Sequence, residues 1–358
     1  MNHKISIIGI VGIPARYGGF ETLVEYLSKY LNKQYDITVF CSAKNYKHKL
    51  SNYNGVKLKY INLNANGVQS IFYDIVSIIY SIKFADTLLI LGVSGCIILP
   101  FIRLFSKKRI IINIDGLEWK RDKWSKSAKW FLKFSEKLAV KYSDVVIVDN
   151  KVIQEYVKKE YRKDSVLITY GADHVKKNML TKELLSKFTF LKEKYAFKVC
   201  RIEPENNIHV ILEAFKEFKD INLVIVGNWE NSKYGINLKK KYKKEKNIFL
   251  LDPIYDEKML NALRSNCYLY IHGHSAGGTN PSLVEAMYLG LPIFAFGVQY
   301  NKETTQYKAL YFDNKDELVN LLENIDDDKL QSIAKDMKTV AEKNYTWEKI
   351  SEKYSKLF

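Results

Sequence analysis

Cysteine is scarce in this chain and none of it is arranged for bonding. Cys41, Cys96, Cys200 and Cys267 stand singly inside apolar runs, with no Cys-x-x-Cys and no metal-type spacing to the 6 histidines. That excludes a disulfide-stapled scaffold and the common zinc patterns, and it predicts buried free thiols in a reducing cytoplasm. Proline is also scarce, with 6 residues among 358, which argues against long disordered linkers. Long apolar runs are missing too. Residues 68–82 contain Asp74 and are too short to span a bilayer, although Ile71, Ile75, Ile78, Ile79 and Ile82 mark one helical face. Residues 87–102 carry no charge, but Gly92, Gly95 and Pro100 divide them, as a buried strand followed by a helix would be divided. The first residues show no basic-then-apolar leader, because residues 4–10 read as a strand, so a cytoplasmic location is expected.

What is present is enough for two cores. A length of 358 residues exceeds what one core usually serves, and 47% hydrophobic and 13% aromatic residues mark a globular chain. The net charge of +16 points to nucleic acid, an anionic membrane or a phosphorylated substrate without choosing among them. The Lys-Lys-Lys-Tyr-Lys-Lys-Glu-Lys run at residues 239–246 reads as a solvated helix face. No nucleic-acid motif accompanies the charge, so no nucleic-acid partner is expected. The basic, apolar cluster of Phe101, Arg103, Leu104, Phe105, Lys107, Lys108 and Arg109 suits peripheral contact with a membrane face.

Short runs rich in Ile, Val, Leu and Tyr alternate with amphipathic stretches, the pattern of a parallel sheet covered on both faces. Strands are predicted at residues 4–10, 36–42, 56–62, 87–92, 109–114, 145–150 and 166–171. After a Lys-rich helical stretch at 176–195 the alternation restarts at 197–201, 222–227, 247–251, 267–273, 292–297 and 309–313. The fold class is therefore α/β, with two Rossmann-like parallel-sheet domains, residues 1–175 and 176–340, facing an interdomain cleft. Trp347, Ile350, Tyr354 and Leu357 have helical spacing, so residues 341–358 are expected to cross back and pack on the first domain.

Four segments have the makings of chemistry. The first strand runs into a loop bearing Gly9, Gly12, Gly18 and Gly19 and then into a helix, an arrangement that lets backbone N–H groups approach an anion or sugar. The spacing is not Gly-x-Gly-x-x-Gly, so the dinucleotide fingerprint is absent, and a tight turn alone would also need these glycines. Glu21 suits the helix dipole. At the end of the strand 109–114, Asp115 and Glu118 are placed to accept a hydrogen bond from an acceptor hydroxyl; the competing reading is a surface loop with ion pairs among Glu118, Lys120 and Arg121. Arg201 ends the strand 197–201, and its guanidinium suits a diphosphate. Finally Gly277, Gly278 and Thr279 precede Asn280 as N-cap, Pro281 at the first helical position and Ser282, with Gly290 and Pro292 ending a helix of about three turns. That loop is a phosphate cradle, and Glu285 one turn in suits a ribose diol. His272 and His274 beside it read equally as phosphate or sugar donors and as satisfied imidazoles.

Taken in order, these pieces resemble the retaining GT-B glycosyltransferases of the family 4 type, over nearly the whole chain. Asn-Pro-Ser-Leu-Val-Glu-Ala-Met with Gly290 and Pro292 is the specific part. The resemblance implies that Glu285 binds the nucleotide ribose, Arg201 the diphosphate, and that Gly18 and Gly19 lie near the diphosphate and transferred sugar. Three departures stand out: Gly277 occupies the place of the first Glu in an E-x7-E motif, Asn206 or Asn207 replaces a lysine, and Asp115 stands where many relatives carry His. With Gly-Ile-Pro-Ala-Arg-Tyr-Gly-Gly-Phe-Glu-Thr, Asp-Gly-Leu-Glu-Trp-Lys-Arg and His-Gly-His-Ser-Ala-Gly-Gly-Thr-Asn-Pro-Ser, they resemble a subgroup of bacterial rhamnosyltransferases of capsular or cell-wall polysaccharide assembly. The implied donor is dTDP-L-rhamnose or another nucleotide-sugar, the acceptor a lipid-linked saccharide, and no resident cofactor is implied.

In such a reaction Arg201 and residues 277–282 would stabilise charge growing on the departing diphosphate. No Asp-x-Asp stands at a strand end, and residues 326–328 (Asp-Asp-Asp) read as a helix cap, so no metal site is expected. The competing readings are a non-catalytic nucleotide-sugar-binding protein, motivated by the acid missing at Gly277, and a basic nucleic-acid-binding module, motivated by charge alone. An epimerase is disfavoured by the missing dinucleotide fingerprint.

Overall fold

The computed structural model of the chain describes residues 2–16, 18–121 and 124–358; Tyr17, inside the glycine-bearing loop, lies outside the described residues. The chain divides into two compact units, Met1–Tyr170 with Trp347–Phe358, and Gly171–Thr346.

In the first unit the strands are β1 (Lys4–Ile8), β2 (Asp36–Ser42), β3 (Asn52–Tyr53), β4 (Val56–Ile61), β5 (Thr87–Leu91), β6 (Arg109–Asn113), β7 (Val145–Val148) and β8 (Val166–Leu167). They join in the order β3-β4-β2-β1-β5-β6-β7-β8. All pairings are parallel except β3 with β4. The central strands are buried on both faces, which is why they read as unbroken apolar runs. The helices are α1 (Gly19–Leu31), α2 (Gln69–Ile82), α3 (Leu99–Phe105), α4 (Lys126–Tyr142) and α5 (Lys151–Tyr161).

Helix α2 packs differently from its isoleucine stripe. It buries Tyr73, Asp74, Ser77, Ile78 and Ser81, and of the five isoleucines only Ile78 is fully covered. The serines tolerate burial because each has a partner. Ser81 Oγ donates to the Ser77 carbonyl at 2.7 Å, Ser77 Oγ to the Tyr73 carbonyl at 2.7 Å, and Ser6 Oγ lies 2.6 Å from Ser81 Oγ. Small side chains let α2 approach β1 closely and leave Ile79 exposed.

The second unit contains β9 (Tyr195–Val199), β10 (Asn222–Val226), β11 (Ile248–Leu251), β12 (Leu269–His272), β13 (Ile293–Phe296) and β14 (Leu310–Phe312). Its helices are α6 (Lys182–Lys187), α7 (Ile208–Glu217), α8 (Lys233–Tyr242), α9 (Glu257–Ser265), α10 (Pro281–Tyr288), α11 (Gln299–Thr304), α12 (Lys315–Glu323) and α13 (Asp327–Asn344). The strand order β11-β10-β9-β12-β13-β14, parallel throughout, reverses direction of travel between β9 and β12. Open α/β sheets bind ligands beyond the carboxyl ends of the strands at such a switch point. The core packs Ile211, Phe215, Ile225, Trp229 and Leu269. Of the lysine run, 239–242 ends α8, where Lys239 pairs with Glu230 and Asp252, while 243–246 lies beyond the helix; Asp326 caps α13. Of the cysteines, Cys200 is half-buried and the other three are buried, all as free thiols.

The chain returns to the first unit through α14 (Trp347–Ser355). The Trp347 ring stacks on Tyr26 of α1 at 4.5 Å, Tyr35 Oη donates to the Ser355 carbonyl at 3.1 Å, and Asn113 Nδ2 donates to Tyr354 Oη at 3.1 Å. The helix ends before Leu357, whose carbonyl accepts from Arg109 Nε at 2.8 Å. Among the described residues no helix is long and apolar enough to cross a membrane.

Candidate active site

The candidate site in the second unit is built on the switch-point strands. β9 ends at Val199, and Arg201 follows two residues later, partly exposed, with Nε 3.8 Å from Glu203 Oε2. β12 ends at His272 and leads into the loop that carries Gly277, Gly278 and Thr279. The two strand ends are stapled by asparagines. Asn206 Nδ2 donates to the Arg201 carbonyl at 2.9 Å, its Oδ1 lies 3.1 Å from His274 Nδ1, and Asn207 Nδ2 donates to the Gly273 carbonyl at 2.8 Å. Ser275 adds a backbone bond of 2.8 Å and a hydroxyl bond of 3.0 Å, both donated to the Glu205 carbonyl. Asn206 and Asn207, which the sequence presents as a lost lysine, thus hold Arg201 beside the glycine loop.

The loop ends where expected. Asn280 Oδ1 accepts from the Ser282 N–H at 3.0 Å and from Ser282 Oγ at 2.8 Å, with Pro281 opening α10. The helix is shorter than the predicted three turns, at 8 residues. Gly277 has φ +95°, a backbone that side-chain-bearing residues rarely adopt, so this turn itself demands the glycine that stands in place of an acid. Thr279 is buried, with Oγ1 3.4 Å from Thr304 Oγ1.

Glu285 lies one turn into α10, between two partners that periodicity does not reveal. Arg264, buried on α9, forms an ion pair with Glu285 Oε2 and donates to Asn261 Oδ1 at 2.9 Å. His174 Nε2 is 3.2 Å from Glu285 Oε1. Burial alone pushes a carboxyl pKa up, but the Arg264 guanidinium and the His174 hydrogen bond outweigh it and hold Glu285 at about 2. It is therefore a fixed anion at neutral pH. No sequence signal marks Arg264, which sits beside Ala262 and Leu263 on a helix with the usual mixture of charges.

His272 and His274 differ. His274 is held by Asn206, and its carbonyl accepts from Asn301 Nδ2 at 2.8 Å. His272 is buried, and neither ring nitrogen has a hydrogen-bond partner among the described residues. Burial, then the nearby Lys198 and His274, push its pKa well below the ordinary value, so its imidazole is neutral.

In the first unit Gly18 and Gly19 lie at the start of α1, and Gly18 has φ +130°. A Cβ at Gly18 would fall 1.9 Å from Glu21 Oε2. Glu21 is more than a dipole partner. Its Oε1 accepts from the Val11 N–H at 2.9 Å and so closes the glycine-bearing loop over the helix start. Burial raises its pKa and outweighs the lowering bond from the Val11 N–H, with the Asp115 carboxylate adding to the rise. Asp115 has φ +59°, a strained backbone for a residue other than glycine, and its N–H donates to Asn113 Oδ1 at 3.1 Å. For Glu118 the ion-pair reading is the one formed: Oε2 lies 2.9 Å from Arg121 Nη1, and Oε1 accepts from Trp124 Nε1 at 3.0 Å. Lys120 takes no part in that pair and lies 5.5 Å from the Trp119 ring centre. Among the described residues no group of three His, Cys, Asp or Glu side chains is placed to hold a metal ion.

Residues 182–345 match the family described as glycosyl transferases group 1. That match covers most of the second unit and, with the two parallel sheets, supports a glycosyltransferase of the GT-B type. Residues 2–173 match a domain of unknown function, DUF1972. No curated protein matches it significantly. Among solved structures it is similar to a sucrose-phosphate synthase from Thermosynechococcus elongatus, at 14% identity and TM-score 0.83, covering 99% of this chain and 98% of that one. It is also similar to Anabaena HepE in complex with UDP-glucose, at 13% identity and TM-score 0.78, covering 99% and 98%. A third is the trehalose-6-phosphate synthase OtsA, at 10% identity and TM-score 0.76, covering 99% of both chains. At these identities the likeness concerns the fold, which the two parallel sheets of this chain already display.

Proposed function

We propose that this chain is a GT-B glycosyltransferase that moves a hexose, L-rhamnose from dTDP-L-rhamnose, onto a lipid-linked saccharide in bacterial capsule or cell-wall polysaccharide assembly. Transfer proceeds with retention, without a metal ion or resident cofactor, and at the cytoplasmic face of the membrane. One arrangement carries the transfer reading: Arg201 and the loop of residues 277–282 stand at the carboxyl ends of neighbouring strands, joined by Asn206 and Asn207. As the bond from the anomeric carbon to the diphosphate breaks, the guanidinium and loop N–H groups take up the charge left on the diphosphate. The acceptor hydroxyl, hydrogen-bonded to Asp115, forms the new bond to that carbon on the same face and passes its proton to the oxygen of the departing diphosphate. Glu285, already ionised, accepts from the ribose hydroxyls. The rhamnose donor rests on the resemblance of the three sequence motifs to rhamnosyltransferases.

The deciding experiment is a thermal-shift panel of dTDP-, UDP- and GDP-sugars, because a ligand that binds the native state raises its melting temperature. The largest shift is expected with dTDP-L-rhamnose, and a larger one with another donor replaces that sugar. Transfer itself is read as a donor-dependent mass increase of a saccharide acceptor. Glu285→Gln is the control, since alanine would leave buried Arg264 without the carboxylate that balances its charge. Binding without a mass increase means a non-catalytic nucleotide-sugar-binding protein. Turnover in EDTA is expected to persist, and loss restored by a divalent ion overturns the metal-free mechanism.

A further inference from the structure

We infer that the outer faces of α3 and α4 in the first unit form a docking surface for an anionic phospholipid bilayer. Helix α3 buries only Leu99 and Ile102 and turns Phe101, Leu104 and Phe105 outward, at 61%, 74% and 89% exposure. These three share one helical face by their spacing of three and four residues. On α4, Trp130 and Phe134 are 69% and 44% exposed, one turn apart, with rings parallel and centres 5.6 Å apart. The helices are neighbours: Arg103 Nε of α3 donates to the Tyr142 carbonyl at the end of α4 at 2.8 Å. Single exposed apolar residues need no explanation, but aromatic and leucine side chains gathered on adjoining helices mark a contact surface.

The charge around this surface selects the partner. The face of α4 that shows Trp130 and Phe134 continues, at spacings of three and four residues, into exposed Lys137 and Lys141, and Lys107 is exposed just beyond α3. The acid of α4, Glu136, is turned inward, where it accepts from Tyr156 Oη at 2.6 Å and Tyr161 Oη at 2.5 Å, and α3 has none. The arginines that look basic in the sequence are not available. Arg103 is spent on the Tyr142 and Lys108 carbonyls and Asp144, and Arg109 on the Leu357 carbonyl. The surface thus offers bulky apolar side chains to the acyl boundary and lysines, with long flexible stems, to anionic headgroups. Trp130 is of the type that settles at the headgroup level. An acceptor carried on a lipid would be met at this surface, a consequence that rests on the function proposed above.

The test is sedimentation of the full chain with vesicles of phosphatidylcholine alone and of phosphatidylcholine mixed with phosphatidylglycerol. Binding to the mixed vesicles is expected to be about tenfold or more stronger and to weaken as salt is raised. Leu104→Ser with Phe105→Ser should abolish it, and Lys137→Glu with Lys141→Glu should remove the preference for phosphatidylglycerol, both with unchanged melting temperature because all four side chains are exposed. No binding by the unaltered chain to mixed vesicles overturns the proposal, as does binding that survives the Leu104 and Phe105 changes. If instead the chain is a dimer in analytical ultracentrifugation and the same changes make it a monomer, the face is a self-interface and the proposal fails. The vesicles contain neither donor nor acceptor, so the outcome is independent of the nucleotide-sugar thermal shift on the same variants.

Discussion

His174 Nε2 lies 3.2 Å from Glu285 Oε1, the carboxylate oxygen opposite the one paired with Arg264. Two groups from different segments therefore fix one carboxylate, and the ribose contact proposed for Glu285 starts from a side chain that is already positioned. Removing one partner of a buried pair costs more than the pair contributes, because the remaining charge is stranded. Arg264→Met is expected to lower unfolding free energy by roughly 3–5 kcal/mol. Urea unfolding measures it, and an unchanged midpoint would show the pair to be incidental. The pH sense follows from the depressed pKa. The stability from this carboxylate is present above its ordinary value of 4.5 and is lost as pH falls toward about 2.

Gly277 predicts the outcome of restoring the resembled motif. An acid at this position would have to adopt φ +95°, at a cost of roughly 1–3 kcal/mol, or shift the loop. Gly277→Glu is therefore expected to weaken nucleotide-sugar binding and not to improve sugar recognition. A smaller thermal shift at fixed donor concentration is the readout; a larger one would mean that the turn accommodates the acid after all.

What was legible in the sequence follows from which interactions have a period. The thirteen predicted strands are all present because parallel strands buried on both faces must be continuously apolar. The strand β3, Asn52–Tyr53, has no Ile, Val or Leu and so carries no such signal. The buried face of α2 was masked by chemistry: Ser77 and Ser81 count as polar by type, yet bury because they bond to their own helix. In the site, Arg201 and the glycine loop were legible because they follow strand ends. Arg264 was not, since it meets Glu285 across 21 residues and nothing local distinguishes an inward arginine from an outward one.

Asn206 gives a direct test of the staple between the strand ends. It is buried, with its amide N–H donating to the Arg201 carbonyl and its oxygen facing His274. Asn206→Ala leaves both groups short of a partner and is expected to cost about 1–3 kcal/mol. Because the Arg201 loop is then released, donor affinity should fall with it. Asn206→Lys, which restores the residue type common in the resembled family, buries an ammonium here and should destabilise at least as much. Unfolding curves and donor titration on both variants check this, and a lysine variant as stable as the unaltered chain refutes it.

Asp74 gives a second pH signature. It is buried on α2, where burial raises its pKa to about 8 against a lowering bond from the Gly95 N–H. The sign is opposite to that of Glu285. The unfolded chain releases this proton from its ordinary value of 3.8 upward, while the folded chain keeps it until about 8, so rising pH favours unfolding throughout that window. Asp74→Asn keeps the oxygen that accepts from Gly95 and removes the titration. The variant should match the unaltered chain near pH 4 and exceed it at pH 7 by an amount that reaches about 4 kcal/mol at most. Melting temperatures across that range read the difference directly, and curves that stay parallel from acid to neutral pH would show that Asp74 is ionised in the fold.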